Sequence, residues 1–362
     1  MKIAILGTRG IPNNYGGFEQ FAEIFSLYLA QQNHEVYVYN THDHIYKEKM
    51  FQSVHIIHKY NPESKMGTAG QFIYDLNCIL DSRSRNFDII LQLGYTSNSI
   101  WSFLLPKKSI IITNMDGMEW KRTKYSNKTQ KFLQFAEKRA VKSSAFLIAD
   151  SIGIQKYLKE KYNRDSTYIA YGATPFCNPN EEVLINYNLE KYAYDLLIAR
   201  FEPENNIEMI LEGVAASQND NPIIVVGNHN NSFGHYLKQK FGSLSKIRFI
   251  GGVYQQEHLN NLRYFSSLYF HGHSVGGTNP SLLEAMAAKS LIAAHKNEFN
   301  QAILHNNAFY FSNALEVQHL RETVDKNHHE LIVQDNFDTI IQEFNWNKIN
   351  ESYLTLFKKS LS

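Results

Sequence analysis

The chain has 362 residues, which at about 150 residues per domain suggests two domains. Lysine and arginine total 36 against 35 acids, so the formal charge is +1, which excludes an acidic tail protein and leaves no basic excess for nucleic acid. Hydrophobic residues at 43% and aromatics at 13% exclude a disordered chain.

In chain order, 3–6 (IAIL) reads as a buried parallel strand ending at Gly7. A glycine-containing loop follows, then a helix over 18–31 with apolar residues at three- and four-residue spacing. Strands are predicted at 36–40, 54–59, 87–94, 109–114, 145–151 and 167–172, with helices at 68–84, 127–142 and 152–162. Between 172 and 192 the period fails, and this stretch reads as a linker. Alternation resumes with strands at 195–201, 222–228, 247–252, 267–272, 291–295 and 308–312. Helices are expected at 206–217, 233–241, 314–325 and 329–342, then a terminal one from WNKINESYLTLFKKSL. Such β-α alternation implies two parallel sheets covered by helices. The domains are expected at 1–175 and 176–344, with 345–362 packing back on the first.

Cys78 and Cys177 make no disulfide framework, and neither CxxC nor HExxH occurs. No apolar run approaches the ~18 residues needed to span a bilayer, and the start is too short for a signal peptide. A cytoplasmic location is expected, with the option of lying on the inner face of the membrane.

Four features carry chemistry. Gly7, Gly10, Gly16 and Gly17 cluster behind the first strand, where backbone amides can approach a ligand. The spacing is not GxGxxG, and the second strand ends in Asn40 rather than an acid, which argues against a dinucleotide site. Arg200 ends the first strand of the second half, where a guanidinium can grip phosphate or serve as a surface ion-pair residue. In HGHSVGGTNPSLLEAMAAKS, Gly276 and Gly277 precede Thr278 and Asn279 as capping residues and Pro280 as the first helical residue. That is a helix start with open amides, and Glu284 one turn in leans back toward it, suited to a ribose diol. The plainer reading is a capped helix with a surface glutamate. Finally, 121–142 holds eight basic residues and one acid, Glu137, with Trp120, Phe132 and Phe135 interleaved. It reads either as a solvated helix face or as a patch for anionic lipid. His271 and His273 have no third ligand in view and are assigned structural roles, and His328 and His329 read as surface residues.

The segments GTRGIPNNYGGFE, NMDGMEWKR, ARFEPENN and HGHSVGGTNPSLLEAMA together resemble the family-4 retaining glycosyltransferases, and most closely the bacterial rhamnosyltransferase-like subgroup of polysaccharide synthesis. The resemblance spans essentially the whole chain. It implies a GT-B fold, two Rossmann-like domains facing a central cleft, with the nucleotide-sugar on the second domain and the acceptor on the first. Arg200 matches the family's pyrophosphate-binding arginine, and Glu284 its ribose-binding glutamate. The usual lysine is Asn205 here, the first glutamate of the paired motif is Gly276, and the histidine of a His-Asp pair is Met115, followed by Asp116.

The expected site therefore has Arg200 and Asp116 as catalytic residues. Gly10, Arg200, Asn205, Gly276, Gly277, Thr278, Asn279 and Glu284 are assigned to the donor, and Arg9, Tyr15, Gly16, Gly17 and Glu119 to the acceptor side. No metal and no cofactor beyond the sugar nucleotide is expected. Met115 and Gly276 in place of polar groups suit a 6-deoxy sugar, so dTDP-L-rhamnose is the expected donor, with a UDP-hexose as runner-up. The acceptor is expected to be a lipid-linked saccharide or glycan, at an anionic membrane surface reached through 120–142. The alternatives are a nucleotide-sugar epimerase or hydrolase of the same fold, or a non-catalytic binder.

Overall fold

The computed structural model describes residues 1–122, 125–275 and 277–362. They form two compact units. The first holds Met1–Lys121, Tyr125–Tyr171 and Trp346–Ser362, and the second holds Arg122 and Gly172–Asn345.

The sheet of the first unit is built from β1 (Lys2–Leu6), β2 (Glu35–Thr41), β3 (Met50–Phe51), β4 (Val54–Lys59), β5 (Ile89–Leu93), β6 (Ile110–Asn114), β7 (Phe146–Ala149) and β8 (Thr167–Tyr168). Their spatial order is β3-β4-β2-β1-β5-β6-β7-β8. All pairs are parallel except β3–β4. Ile3 to Leu6 and Ile89 to Leu93 are buried without interruption, because helices cover both faces of a parallel sheet. The β3 hairpin is not anticipated by hydrophobic spacing. It is two residues long and turns through Gln52 at φ +51°. The strand expected to reach 172 pairs only through Tyr168. Tyr171 leaves the ladder, and its hydroxyl donates to Gly17 O (3.0 Å) and Gln20 Oε1 (2.9 Å).

The terminal helix Trp346–Leu361 packs on the helix Gly17–Gln31 through aromatic rings. Tyr353 lies 4.7 Å from Phe21 and 5.0 Å from Phe25 between ring centroids, and Phe357 lies 5.6 Å from Phe25. The Tyr353 hydroxyl also accepts from Asn114 Nδ2 at 2.9 Å, so the last helix is tied to the end of β6.

The second unit contains β9 (Asp195–Ile198), β10 (Ile223–Val226), β11 (Ile247–Gly251), β12 (Tyr269–His271), β13 (Ile292–His295) and β14 (Phe309–Phe311). Their order is β11-β10-β9-β12-β13-β14, parallel throughout. Strand progression reverses between β9 and β12, and it is there that a doubly wound sheet opens a ligand crevice at its carboxyl edge. The stretch read as a linker contains the 3₁₀ helix Glu181–Tyr187, whose Val183 and Leu184 are buried.

A buried ion pair fixes the start of β9. Arg321 Nε donates to Asp195 Oδ2 at 2.6 Å, Nη1 donates to Asn219 O at 3.0 Å, and Nη2 donates to Asn221 O. Asp195→Asn leaves that guanidinium buried without its acid and should cost about 3–5 kcal/mol, seen as a fall of roughly 6–20 °C in melting temperature. Asp195→Leu combined with Arg321→Met should recover part of the loss. An Asp195→Asn protein melting within about 2 °C of the parent would show that the pair carries no such weight.

Candidate functional site

Two loop clusters sit at the carboxyl edges of the sheets. In the first unit, Gly10 has φ +130°, and a Cβ there would run into the Asn40 side chain. Asn40 is fully buried, accepts from Ile11 N at 3.0 Å through Oδ1, and donates to Ile11 O at 2.7 Å through Nδ2. The residue at the tip of β2 therefore latches the glycine loop. Arg9, expected on the acceptor side, is engaged by Glu63. Its Nη2 donates to Glu63 Oε1 at 2.7 Å and its Nε to Oε2 at 3.2 Å, while its guanidinium lies 3.8 Å from the centroid of the exposed Tyr15 ring. Glu63 escapes sequence reading because it opens a helix of only four residues. Gly16 is the N-cap of the helix Gly17–Gln31 and offers no side-chain cap. Glu19 in the first turn accepts from Arg9 N (2.8 Å) and Thr8 Oγ1 (3.2 Å) of the preceding loop, so this helix start already holds its own negative charge.

After β6 the chain turns sharply. Asp116 has φ +49°, and its N–H donates to Asn114 Oδ1 at 2.9 Å. Met115 corrects the sequence reading: it is 2% exposed and packs among Tyr95, Ala136, Ala140 and Leu147, so its side chain offers no wall to a sugar. Glu119 begins the 3₁₀ turn Glu119–Lys121. Trp120 is a second correction. It is turned inward, and its Nε1 donates to Glu137 Oε2 at 3.1 Å.

Glu137 is a buried hub. Tyr162 OH (2.6 Å), Tyr157 OH (2.7 Å) and Lys161 Nζ (3.0 Å) donate to Oε1, and Tyr95 OH donates to Oε2 at 3.4 Å. Burial and then the bond to Glu137 push the Tyr157 and Tyr162 hydroxyls up, so both remain proton donors. With Glu137 withdrawn, the outer face of the helix Asn127–Ser143 shows Lys128, Lys131, Phe132, Phe135, Lys138 and Lys142 and no acid. Arg139 is partly withdrawn and donates to Ser102 Oγ at 3.0 Å. That bond joins the 3₁₀ helix Ser99–Leu104, whose Phe103 is 67% exposed. Lys124 lies outside the described residues.

In the second unit the switch point brings the Arg200 loop against the loop after β12. Ser274 N and Oγ donate to Glu204 O at 3.1 and 2.7 Å, and Asn206 Nδ2 donates to Gly272 O at 2.7 Å. Gly272 passes so close to Asn205 O that a Cβ would collide with it. Arg200 is exposed, and among the described residues its guanidinium has no acid partner. Asn205 departs from expectation, being 5% exposed with Nδ2 donating to Arg200 O at 2.7 Å, so it shapes the loop from within. Gly276 lies outside the described residues. Gly277 and the buried Thr278 lead into the helix Pro280–Ala287, whose N-cap Asn279 accepts from Ser281 N at 2.9 Å. Glu284 is not the unencumbered carboxylate expected. Oε2 accepts from the buried Arg263 Nη2 at 2.6 Å, and among the described residues Oε1 has no partner. Arg263 Nη2 also lies 3.3 Å from Ser281 Oγ, which in turn meets Tyr269 OH at 2.8 Å. Arg263 is a further residue of the candidate site that sequence spacing could not find, since it lies 21 residues from its partner. Among the described residues no three His, Cys, Asp or Glu side chains gather into a metal site.

Glu284→Gln removes the acid from a 1% exposed arginine side chain. It should cost about 1.5–3 kcal/mol, a drop of roughly 3–12 °C in melting temperature. No shift in melting would mean that Arg263 does not depend on Glu284.

Residues 1–174 match the family described as domain of unknown function (DUF1972), and residues 184–338 match glycosyl transferases group 1. No curated protein matches the chain. Among solved structures, a sucrose-phosphate synthase from Thermosynechococcus elongatus superimposes with a TM-score of 0.81 at 15% identity, covering 99% of this chain and 98% of that one. Anabaena HepE in complex with UDP-glucose gives 0.74 at 14% identity, covering 99% and 100%. A glycosyltransferase from Rickettsia africae gives 0.72 at 16% identity, covering 100% and 99%. The first half of the chain thus matches the DUF1972 model and the second half the glycosyl transferases group 1 model, and the two α/β domains have the fold of GT-B glycosyltransferase structures.

Proposed function

We propose that this protein moves a sugar from a nucleotide-diphosphate donor to a lipid-linked or glycan acceptor in cell-surface polysaccharide synthesis, with retention at the anomeric carbon and without a metal. The observation that carries the reading is Arg200. It is an exposed guanidinium with no acid partner among the described residues, at the sheet's switch point, on a loop laced to the segment leading into the capped helix Pro280–Ala287. Such a group suits a leaving diphosphate, whose growing charge it would stabilise. Glu284, oriented by Arg263, would accept the ribose hydroxyls through Oε1, with the amides near Gly277 and Thr278 on the phosphates. Asp116 is the candidate for contact with the sugar or acceptor. Arg9, held by Glu63, would present the Tyr15 side of its loop to the acceptor.

For the donor, the four-block resemblance favours dTDP-L-rhamnose. Burial of Met115 removes one support for a 6-deoxy preference, and a UDP-hexose is the second reading, in line with the UDP-glucose in the HepE structure. The test follows product from dTDP-L-rhamnose and from UDP-glucose, each with and without a lipid-linked saccharide. Transfer only when acceptor is present supports the proposal, and the larger kcat/KM names the donor. Release of free nucleotide at the same rate without acceptor would favour a hydrolase. In the same assay Arg200→Ala should lower kcat/KM at least roughly tenfold to hundredfold, because charge-assisted bonds are worth about 1.5–3 kcal/mol each. Near-normal turnover in a folded Arg200→Ala protein would remove its diphosphate role.

The basic face of the helix Asn127–Ser143, flanked by the exposed Phe103, supports peripheral binding to an anionic membrane. Each lysine near such a surface contributes about 1 kcal/mol. Flotation with phosphatidylserine vesicles should succeed, weaken with salt, and fail when Lys128, Lys131, Lys138 and Lys142 are changed to Glu. Equal partitioning onto neutral vesicles, or none onto either kind, would refute it.

A further inference from the structure

The switch point of the second unit holds buried polar atoms that find no hydrogen-bond partner among the described residues. Among the described residues, both carboxylate oxygens of Glu204 are without a hydrogen-bond donor, both ring nitrogens of His271 are unpartnered, and so is Nδ1 of His273. Glu204 is 9% exposed and His271 1%. They belong to one neighbourhood. The Glu204 carbonyl is bonded by Ser274, the residue after His273, and the two imidazoles stack with centroids 4.5 Å apart and planes 15° apart. Arg122 Nη1 forms an ion pair with Glu204 Oε1 at 3.9 Å, too long for a hydrogen bond, so the carboxylate is charge-compensated but not hydrogen-bonded by it. Polar groups around them are satisfied: Asn297 and Asn300 both donate to the His273 carbonyl, at 3.0 and 3.1 Å, and Asn205 and Asn206 are tied into the loops.

A native fold rarely leaves a buried carboxylate unbonded, so the missing donors arrive with a ligand or with water. The chemistry of these groups restricts what that ligand can be. A carboxylate only accepts, so it seeks hydroxyl groups and repels phosphate. His273 is pushed down to about 3 by its burial, then by the charges of Arg200 and Arg122, so its ring is neutral and can accept at one nitrogen and donate at the other. A carboxylate and a neutral imidazole carried on two loops that bond to each other can each take a hydroxyl group of a sugar ring. Arg200, close enough to act on His273, suits the diphosphate attached to that ring.

We propose that Glu204 and His273 hold the hydroxyl groups of the donor's sugar and so select which sugar is transferred. This rests on the nucleotide-sugar reading given above. His271 lies beneath His273 in the stack and acts through it, as a positioning residue.

Calorimetry separates sugar recognition from nucleotide recognition. UDP and dTDP are titrated alongside UDP-glucose and dTDP-L-rhamnose into the full chain and into Glu204→Gln, His273→Ala and His273→Asn, each first checked by thermal melting. Glu204→Gln and His273→Ala should keep affinity for the free diphosphates within about twofold and lose at least about tenfold for the preferred nucleotide-sugar, the worth of one good hydrogen bond. His273→Asn keeps an amide near the Nδ1 position and should restore most of that loss. Equal losses for diphosphate and nucleotide-sugar would overturn the assignment, and so would an unchanged affinity for the nucleotide-sugar. If His273→Ala or Glu204→Gln fails to fold, His273→Leu or Glu204→Ala takes its place, and its Kd for the nucleotide-sugar must rise more than its Kd for the diphosphate. A parent protein that binds none of the four ligands would overturn the glycosyltransferase reading itself. Binding by the parent with indifferent variants would overturn only the roles of Glu204 and His273.

Discussion

The second sheet depends on one topological demand. A chain that builds β9, β10 and β11 outward in one direction must come back past β9 to place β12 on its other side. The two strands are parallel, but the connections that leave them run to opposite sides, so the loops above them part and open a crevice. They are also bonded to each other. Ser274 bonds to Glu204, Asn206 bonds to Gly272, and Gly272 has no side chain because Asn205 O occupies the space. The placement of Arg200, of the imidazole stack and of the capped helix start follows from that mutual support.

Much of this was legible in the chain. Uninterrupted apolar runs of four or five residues marked the central strands, and Asn279-Pro280 marked a helix start, because each signal is local. What was not legible depended on residues far apart in sequence. Glu284 reads as a lone carboxylate until Arg263 is brought beneath it from the preceding helix. Met115 reads as a residue facing the sugar because it falls where the resembled family has a histidine, but the turn through Asp116 at φ +49° leaves it in the core. Asn205 looked like a substitute for a lysine, and it serves the loop that Arg200 stands on. Histidines 271 and 273 read as structural because no third ligand is in view, and only the folded chain shows ring nitrogens without a partner among the described residues.

Glu137 shows how one buried acid can act on a surface without being on it. Its five donors, three tyrosines, a tryptophan and a lysine, draw the segment after β6 and the helix Ile152–Tyr162 onto the helix Asn127–Ser143. They also withdraw from solvent the one negative charge that would have broken up the lysine face. The aromatic Trp120, which composition alone would add to that face, is spent on the same carboxylate. Phe103 from a neighbouring 3₁₀ helix adds exposed aromatic surface beside the helix.

Asn40 has a bearing on how this scaffold could be redesigned or could drift. In related nucleotide-binding sheets an acid at the tip of the second strand is a familiar handle for changing cofactor choice. Here the amide needs both of its ends, one to accept from Ile11 N and one to donate to Ile11 O. A carboxylate can only accept, so an aspartate would face the Ile11 carbonyl with like polarity and unlatch the glycine loop. The position that would open a path toward dinucleotide chemistry is the one that holds the first loop closed, which leaves the first unit committed to whatever that loop presents.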